Sequence, residues 1–273
     1  MKNTAETFTR ALDRINAIIV NNGHDGDHFA AILRRERIPH LSFSQVTTVE
    51  SCQRRYYLQY VLGREPDPIP TYFIKGKRMH DLIARTYESM RAGSGSAVAP
   101  LPEGLHDADD GIDRRHIANA YQVHHQNLWS GYAIRGVEHP FVFSISPDLP
   151  PLVGVIDLML ADAEQIILVD HKTGRDFYPD DALQVAIYAR YVRTRFNTDQ
   201  VRLFYDHYRW VNNLDRIRKP AFERREVDAD PRAWGSYLAR IARAYRVMET
   251  LTAGRRPLKD GECFRCPFRG GCT

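Results

Sequence analysis

The stretch GVIDLMLADAEQIILVDHKTG, residues 154–174, carries one aspartate inside each of two short apolar runs that flank the polar turn ADAEQ. Two apolar runs around such a turn predict an antiparallel hairpin from Leu152 to Lys172. Side chains two apart on a strand face the same side, so Asp170 and Lys172 project together. The same pairing brings Asp157 opposite or diagonal to Asp170. A buried charge costs several kcal/mol unless it is paired or bound to a metal. Two carboxylates within a few ångströms also resist double ionisation. A divalent cation with oxygen ligands removes that penalty, and the lysine then stands where it can orient a water or stabilise charge on a phosphate. A lone D-x-K is more often a salt bridge at a strand end, so the reading needs support from elsewhere in the chain.

The support comes from both sides of the hairpin. LQVAIYARY, just after it, puts Gln184 and Tyr188 four apart on one helix face. GKRMHDLIA, well before it, carries His80 on a helix, and Glu138 opens the preceding strand, GVEHPFVFSIS. The order His, Asp, D-x-K, Q-x-x-x-Y is much harder to meet by chance than D-x-K alone. The alternating pattern of GVEHPFVFSIS and the hairpin predict three strands; VRLFYDHYRW and RIRKPAFERREV predict two more around VNNLD. Helical spacing is expected over residues 4–20, in FAAILRRER, and in SFSQVTTVESCQRRYYLQYVLG with Ser42 or Ser44 as its N-cap. Further helices are expected around His80, around Tyr121, in YPDDALQVAIYARYVRTRF and from about Pro231 to Thr252. GSGSAVAPLPEG reads as a flexible loop. Helices, three strands, a helix, two strands and helices make an α/β core with helical additions.

The residues His80, GVID with Asp157, VDHKTG with Asp170 and Lys172, and QVAIY with Gln184 and Tyr188 resemble the RecB-like branch of the PD-(D/E)XK nucleases. The resemblance extends from about Leu41 onward and leaves residues 1–40 as an N-terminal helical extension. It implies a restriction-endonuclease-like mixed sheet flanked by helices, and hydrolysis of DNA phosphodiesters assisted by Mg2+ or Mn2+. Carried over by position, it makes His80, Asp157, Asp170 and the backbone carbonyl of His171 metal ligands. Lys172 positions or activates water, while Gln184 and Tyr188 support the site and contact DNA. Glu138 stays outside the set carried over.

Bulk composition bounds rather than decides. The 273 residues suffice for one large domain or two small ones, with ordinary apolar and charged fractions. No run approaches a membrane span and no secretory signal opens the chain, so a cytoplasmic location is expected. The net charge of +4 is uneven: from Val201 to Thr273, 16 Lys and Arg face 9 Asp and Glu, which is compatible with a polyanion partner.

Cys52 stands alone, whereas Cys263, Cys266 and Cys272 form C-x2-C-x5-C at the carboxyl end. Cytosolic proteins gain little from disulfides, so four such cysteines suggest a soft metal site, either tetrahedral zinc or an iron–sulfur cluster. The layout is similar to the staple of AddB-type and CRISPR-associated four-cysteine nucleases, which implies a 4Fe–4S cluster tying the start of the domain to its end. The basic and aromatic segments RRYY, with Arg54 and Arg55, YDHYRW and RIRKP suit single-stranded nucleic acid; the alternative is that half of these rings are core. The functional expectation is a metal-dependent DNA exonuclease or end-processing enzyme. Its rival is a non-cleaving DNA-binding or assembly module in a recombination, replication, repair or CRISPR adaptation complex.

Overall fold

The hairpin forms where its pattern places it. In the computed structural model, β3 (Leu152–Ala161) pairs antiparallel with β4 (Ile166–Gly174), from Leu158 opposite Val169 to Ala161 opposite Ile166. Asp162 makes the turn by accepting the backbone N–H groups of Glu164 and Gln165 on Oδ1, at 2.8 and 2.9 Å, a local bond that stands in for a backbone turn. The structure describes residues 4–22, 26–66, 69–93, 114–177, 182–228, 230–259, 261, 266–269 and 272, with the side chains of 4, 22 and 26–28 excepted. The expected loop at GSGSAVAPLPEG, together with Pro179, Asp180 and Cys263, lies outside them.

The chain runs α1 (Thr4–Asn22), α2 (Gly26–Arg35), β1 (Leu41–Ser42), α3 (Phe43–Ser51) and α4 (Gln53–Tyr56). It continues through α5 (Thr71–Arg91), α6 (Arg114–Gln126), β2 (Ala133–Phe143) and the hairpin. Last come α7 (Ala182–Phe196), β5 (Val201–Arg209), β6 (Phe222–Glu226) and α8 (Trp234–Thr252). The strands form one six-stranded mixed sheet in the order β1-β3-β4-β5-β6, with β2 also paired to β3. β4 and β5 run parallel from Ile166/Val201 to Gly174/Arg209, so the chain must cross over between them, and α7 is that crossover. Leu183, Val185, Ala186, Ile187, Ala189 and Val192 bury most of its surface.

Two compact units share this chain. One comprises residues 71–139 and 156–229, the other residues 1–70, 140–155 and 230–273. In the first, Met79, Leu82, Ile83 and Tyr87 of α5 and Ile117, Ala120 and Tyr121 of α6 pack with Leu158, Leu160, Ile167, Val169, Phe204 and Tyr208 of the strands. The buried stripe of α5 thus repeats at three and four residues, and His80 follows the buried Met79 directly. In the second unit, Ala11, Ile15, Phe29, Leu33 and Ile38 share a core with Val142 and Val153. Helices α1 and α2 therefore contribute directly to that core.

Two expectations need correction. SFSQVTTVESCQRRYYLQYVLG is not one helix: Ser42 caps α3 reciprocally with Gln45, and the helix stops at Cys52, whose backbone is extended. α4 begins on its far side and passes into a π-helical turn at Tyr57–Val61. In RIRKPAFERREV only Phe222–Glu226 is strand, because Pro220 cannot donate to a ladder.

Gly154 is where β3 needs a missing side chain. A Cβ there would lie 2.5 Å from Cζ and 2.7 Å from Cε1 of the buried Phe141 on β2. Gly154→Ala is expected to cost about 1–3 kcal/mol by overpacking, read as a lowered melting temperature. An unchanged melting temperature would show that Phe141 can move aside freely.

Candidate active site

The β3–β4 ladder ends one residue short of the two aspartates. Continued, its register would set Asp157 opposite Asp170, but there the side chain of Asp157 takes over. The backbone N–H of His171 donates to Asp157 Oδ2 at 2.8 Å. The strands part at this point without stranding a buried N–H, and the carboxylates occupy the opening.

Asp157 belongs to one group and Asp170 to another. His80 Nδ1 stands 3.6 Å from Asp157 Oδ2 and 4.0 Å from Glu138 Oε1. One donor atom each from His80, Glu138 and Asp157 fall within 4.8 Å of one another. Glu138 reaches this cluster from a left-handed backbone with φ of 45°, rare for a residue with a side chain and costing on the order of 1–3 kcal/mol. The twist interrupts the alternation of β2 and re-aims the carboxylate.

The second group is a closed ring made of one ion pair and several hydrogen bonds. Lys172 Nζ lies 2.6 Å from Asp170 Oδ2 and donates to Gln184 Oε1 at 2.9 Å. Gln184 Nε2 donates to Asp170 Oδ1 at 2.8 Å and to the Tyr188 hydroxyl at 2.9 Å. Tyr188 is buried, and its hydroxyl faces Asp170 at 3.4 Å. Burial first, and the carboxylate second, push the phenol well above its usual range. The side chain of His171, between Asp170 and Lys172, turns to the opposite face and packs among Tyr87, His124 and Tyr208. Burial holds it neutral.

Burial also raises Asp157 to about 6, opposed by His80 and reinforced by Asp170. Its neighbours satisfy it incompletely, which is what an ion-binding carboxylate should show. Two carboxylates and an imidazole at these separations suit a cation taking oxygen and nitrogen donors at about 2.0–2.3 Å after a small contraction.

The family model of the PD-(D/E)XK nuclease superfamily matches residues 40–273. The chain belongs to that superfamily. It is therefore a nuclease, and nucleases of this superfamily act on nucleic acid with divalent metals. A crystal structure from Eubacterium rectale, described as a "putative exonuclease", aligns with a TM-score of 0.53 and 10% identity. The alignment covers 83% of this chain and 86% of that one, a likeness of fold. A second solved structure, SSO0001, aligns with a TM-score of 0.37 and 14% identity over 86% and 85% of the two chains, too distant to carry an argument. No curated protein matches the chain.

The other expected site residues lie in the second unit. Cys52 is buried and Cys266 and Cys272 are half-buried; none of the three is in a disulfide. The carboxyl-terminal segment runs against the first of them. A Cβ on Gly261 would sit 2.7 Å from Cys52 Cβ, and the Arg54 N–H donates to the Leu258 carbonyl at 2.9 Å. Lys259 Nζ reaches the Cys272 carbonyl at 3.3 Å. Arg54 and Arg55 are half-buried on α4, Tyr56 beside them is buried, and Tyr205 and Tyr208 of YDHYRW are among the most deeply buried side chains. Those rings are core. Sequence reasoning left out Glu138; the signal was a carboxylate in an otherwise apolar strand, obscured because its position depends on a backbone twist that no periodicity encodes.

No helix among the described residues is long and apolar enough to cross a membrane.

The raised Asp157 fixes a pH dependence. The folded protein holds this proton more tightly than the unfolded chain, whose carboxyl keeps a value near 3.8. Its contribution to metal-free stability therefore falls as pH rises from about 4 to 6. A metal must displace the same proton, so Mn2+ should raise the melting temperature above pH 6 and progressively less below it. A shift independent of pH between 5 and 7 would remove Asp157 from the ligand set. Glu138→Gly separates function from strain: Mn2+ affinity is expected to fall tenfold or more while metal-free stability holds or rises. Isothermal titration and thermal melts read the two quantities.

Proposed function

We propose that this nuclease is a Mg2+- or Mn2+-dependent deoxyribonuclease that trims or processes DNA at free ends or single-stranded portions. The observation that carries this reading is the cluster of His80, Glu138 and Asp157 beside an Asp170–Lys172 pair held in a closed ring. His80, Glu138, Asp157, Asp170 and the His171 carbonyl are the proposed ligands. A bound metal would supply Lewis acidity toward a phosphate oxygen and lower the pKa of a bound water.

The chain's own residues have separable tasks. Lys172, fixed by Asp170 and Gln184, places an ammonium where it orients the attacking water and offsets charge developing on the phosphate. Gln184 donates to Asp170 and accepts from Lys172, so it fixes their spacing. Tyr188 completes the ring from behind and acts through Asp170; its burial favours that role over a contact with DNA. Arg54 and Arg55 are assigned to the DNA backbone, along the basic carboxyl-terminal third of the chain.

The second unit would be closed by a 4Fe–4S cluster on Cys52, Cys263, Cys266 and Cys272, with zinc as the other soft metal that fits four thiolates. Cys52 sits at an extended residue between two helices, and Gly261 passes against it, which supports a staple joining residues about 210 apart. Residues 1–40 then serve as a helical extension to a nuclease domain spanning 41–273. Assembly with a repair, replication or CRISPR complex, and a cytoplasmic site of action, belong to the same reading.

End-labelled linear and closed circular DNA, single- and double-stranded, incubated with Mn2+ or Mg2+, test the activity. Wild type is expected to degrade linear substrates, and Lys172→Ala to lose at least a hundredfold in rate while still binding Mn2+. Retained cleavage in Lys172→Ala would refute the assigned site; binding without cleavage by either protein would leave a DNA-binding module. Cys272→Ala should lose any brown colour and melt at lower temperature. Equal iron content and an unchanged melting temperature would exclude the staple.

A further inference from the structure

We propose that Tyr72 and Phe73, at the start of α5, form a base-stacking platform that feeds a single strand toward the His80 end of the same helix. The inference rests on the nuclease reading for its direction, but its stacking chemistry stands on separate residues. Tyr72 and Phe73 are 56% and 45% exposed, and their rings stack on each other with centroids 4.7 Å apart. Exposed aromatic area is costly in water, and neither ring belongs to the buried core of its unit. Of the aromatics that the sequence offered for this task, Tyr56, Tyr205 and Tyr208 lie buried; Tyr72 and Phe73 do not.

Their surroundings select an anionic, ring-bearing occupant. Between Thr71 and His80 the helix carries Lys75, Lys77 and Arg78 and no Asp or Glu. Lys77 is exposed. Lys75 Nζ lies over the Trp210 indole at 4.9 Å and 2.8 Å from His116 Nδ1, so a further aromatic with a cation on its face stands on the same unit. Bases stacked on rings with cations at the phosphates is how sequence-tolerant binding of single strands works. A duplex keeps its base faces occupied by their neighbours and gains little from such a platform.

Helix geometry sets the direction. Phe73 and His80 are seven residues apart, about 10 Å along the axis and within about 20° of one face. Lys77 falls between them, one turn after Phe73. At roughly 3.4 Å per stacked base, the platform lies about three nucleotides from His80. The helix is held close to the lysine strand as well: a Cβ on Gly76 would meet Thr173 Oγ1 at 3.3 Å, and Thr173 follows Lys172. The platform therefore serves strands with at least three unpaired nucleotides, which narrows the substrate to single-stranded DNA, frayed ends and overhangs.

The test reads binding without cleavage. Fluorescent oligothymidylate and a blunt duplex of equal length are titrated in EDTA across a salt series. The variants are Tyr72→Leu/Phe73→Leu, Phe73→Trp and Lys77→Gln. The double variant should lose about tenfold or more in affinity for oligothymidylate, with an unchanged salt slope and little change on the duplex. Phe73→Trp should keep or gain affinity, which a folding defect would not allow. Lys77→Gln should reduce the slope of log affinity against log salt by about 0.7. Equal losses on both substrates, or loss in Phe73→Trp matching that of the double variant, would overturn the platform. So would a concentration-dependent dimer that the double variant abolishes, because it would assign the rings to self-association. Because no metal is present, this result is independent of catalysis. If wild type cuts no DNA yet the binding pattern appears, the nuclease reading fails and the platform stands; cleavage without the pattern gives the reverse.

Discussion

The site depends on one hydrogen bond, from the His171 backbone to the Asp157 carboxylate. Antiparallel strands ordinarily satisfy each other's inward N–H groups, and that mutual demand keeps them side by side. At the end of the β3–β4 ladder a side chain meets the demand instead, so the strands separate without leaving a buried donor unpaired. The separation gives α5 and β2 room to bring His80 and Glu138 to the same place. It also commits Asp157 to a position short of water, which is why its proton is hard to remove. Pairing, burial and acidity are thus one constraint seen at three scales.

The charges around that bond are divided unequally. Asp170 has its counter-ion in Lys172 and an amide donor in Gln184, so its charge is largely compensated within the ring. Asp157 and Glu138 meet at His80, 3.6 and 4.0 Å away, and Asp157 also feels the Lys172 ammonium and accepts the His171 N–H. Two carboxylates facing one imidazole give the His80 side a donor set whose geometry suits a cation. An imidazole among the donors favours Mn2+ over Mg2+, since magnesium prefers all-oxygen octahedra. Lys172 Nζ pairs with Asp170 and Gln184 and is not one of the three donors gathered around His80.

Most of the candidate site was legible because it repeats with the periods of secondary structure. Asp170 and Lys172 share a face by the two-residue period of a strand, and Gln184 and Tyr188 share one by the four-residue spacing of a helix; the structure brings all four together. Glu138 was not legible as a ligand, because its φ of 45° breaks the period that would have located it. Tyr72 and Phe73 escaped for the opposite reason. YF at a helix start looks like any apolar pair, and exposure is a property of the whole fold. The break of α3 at Cys52 shows a third limit: helical spacing continues through the segment, while the backbone at Cys52 is extended and Gly261 lies against it.

The floor of the site shows what its electrostatics exclude. Beneath Asp170 and Lys172 lie His171, His124, Tyr87 and Tyr208, rings whose centroids are 5.4–6.2 Å apart in their contacts. Imidazolium groups there would be the simplest way to neutralise the carboxylates above. Burial forbids it: desolvation lowers His124 to about 3 and His171 well below its usual value, with His125 further opposing protonation of His124 and His124 that of His171. His124 instead pairs its Nδ1 with the Tyr208 hydroxyl at 2.9 Å. The floor is uncharged across the physiological range and takes no part in the charge balance. The buried imidazoles of the floor therefore add no charge to the carboxylates above them, whose compensation comes from other groups, His80 and Lys172 among them.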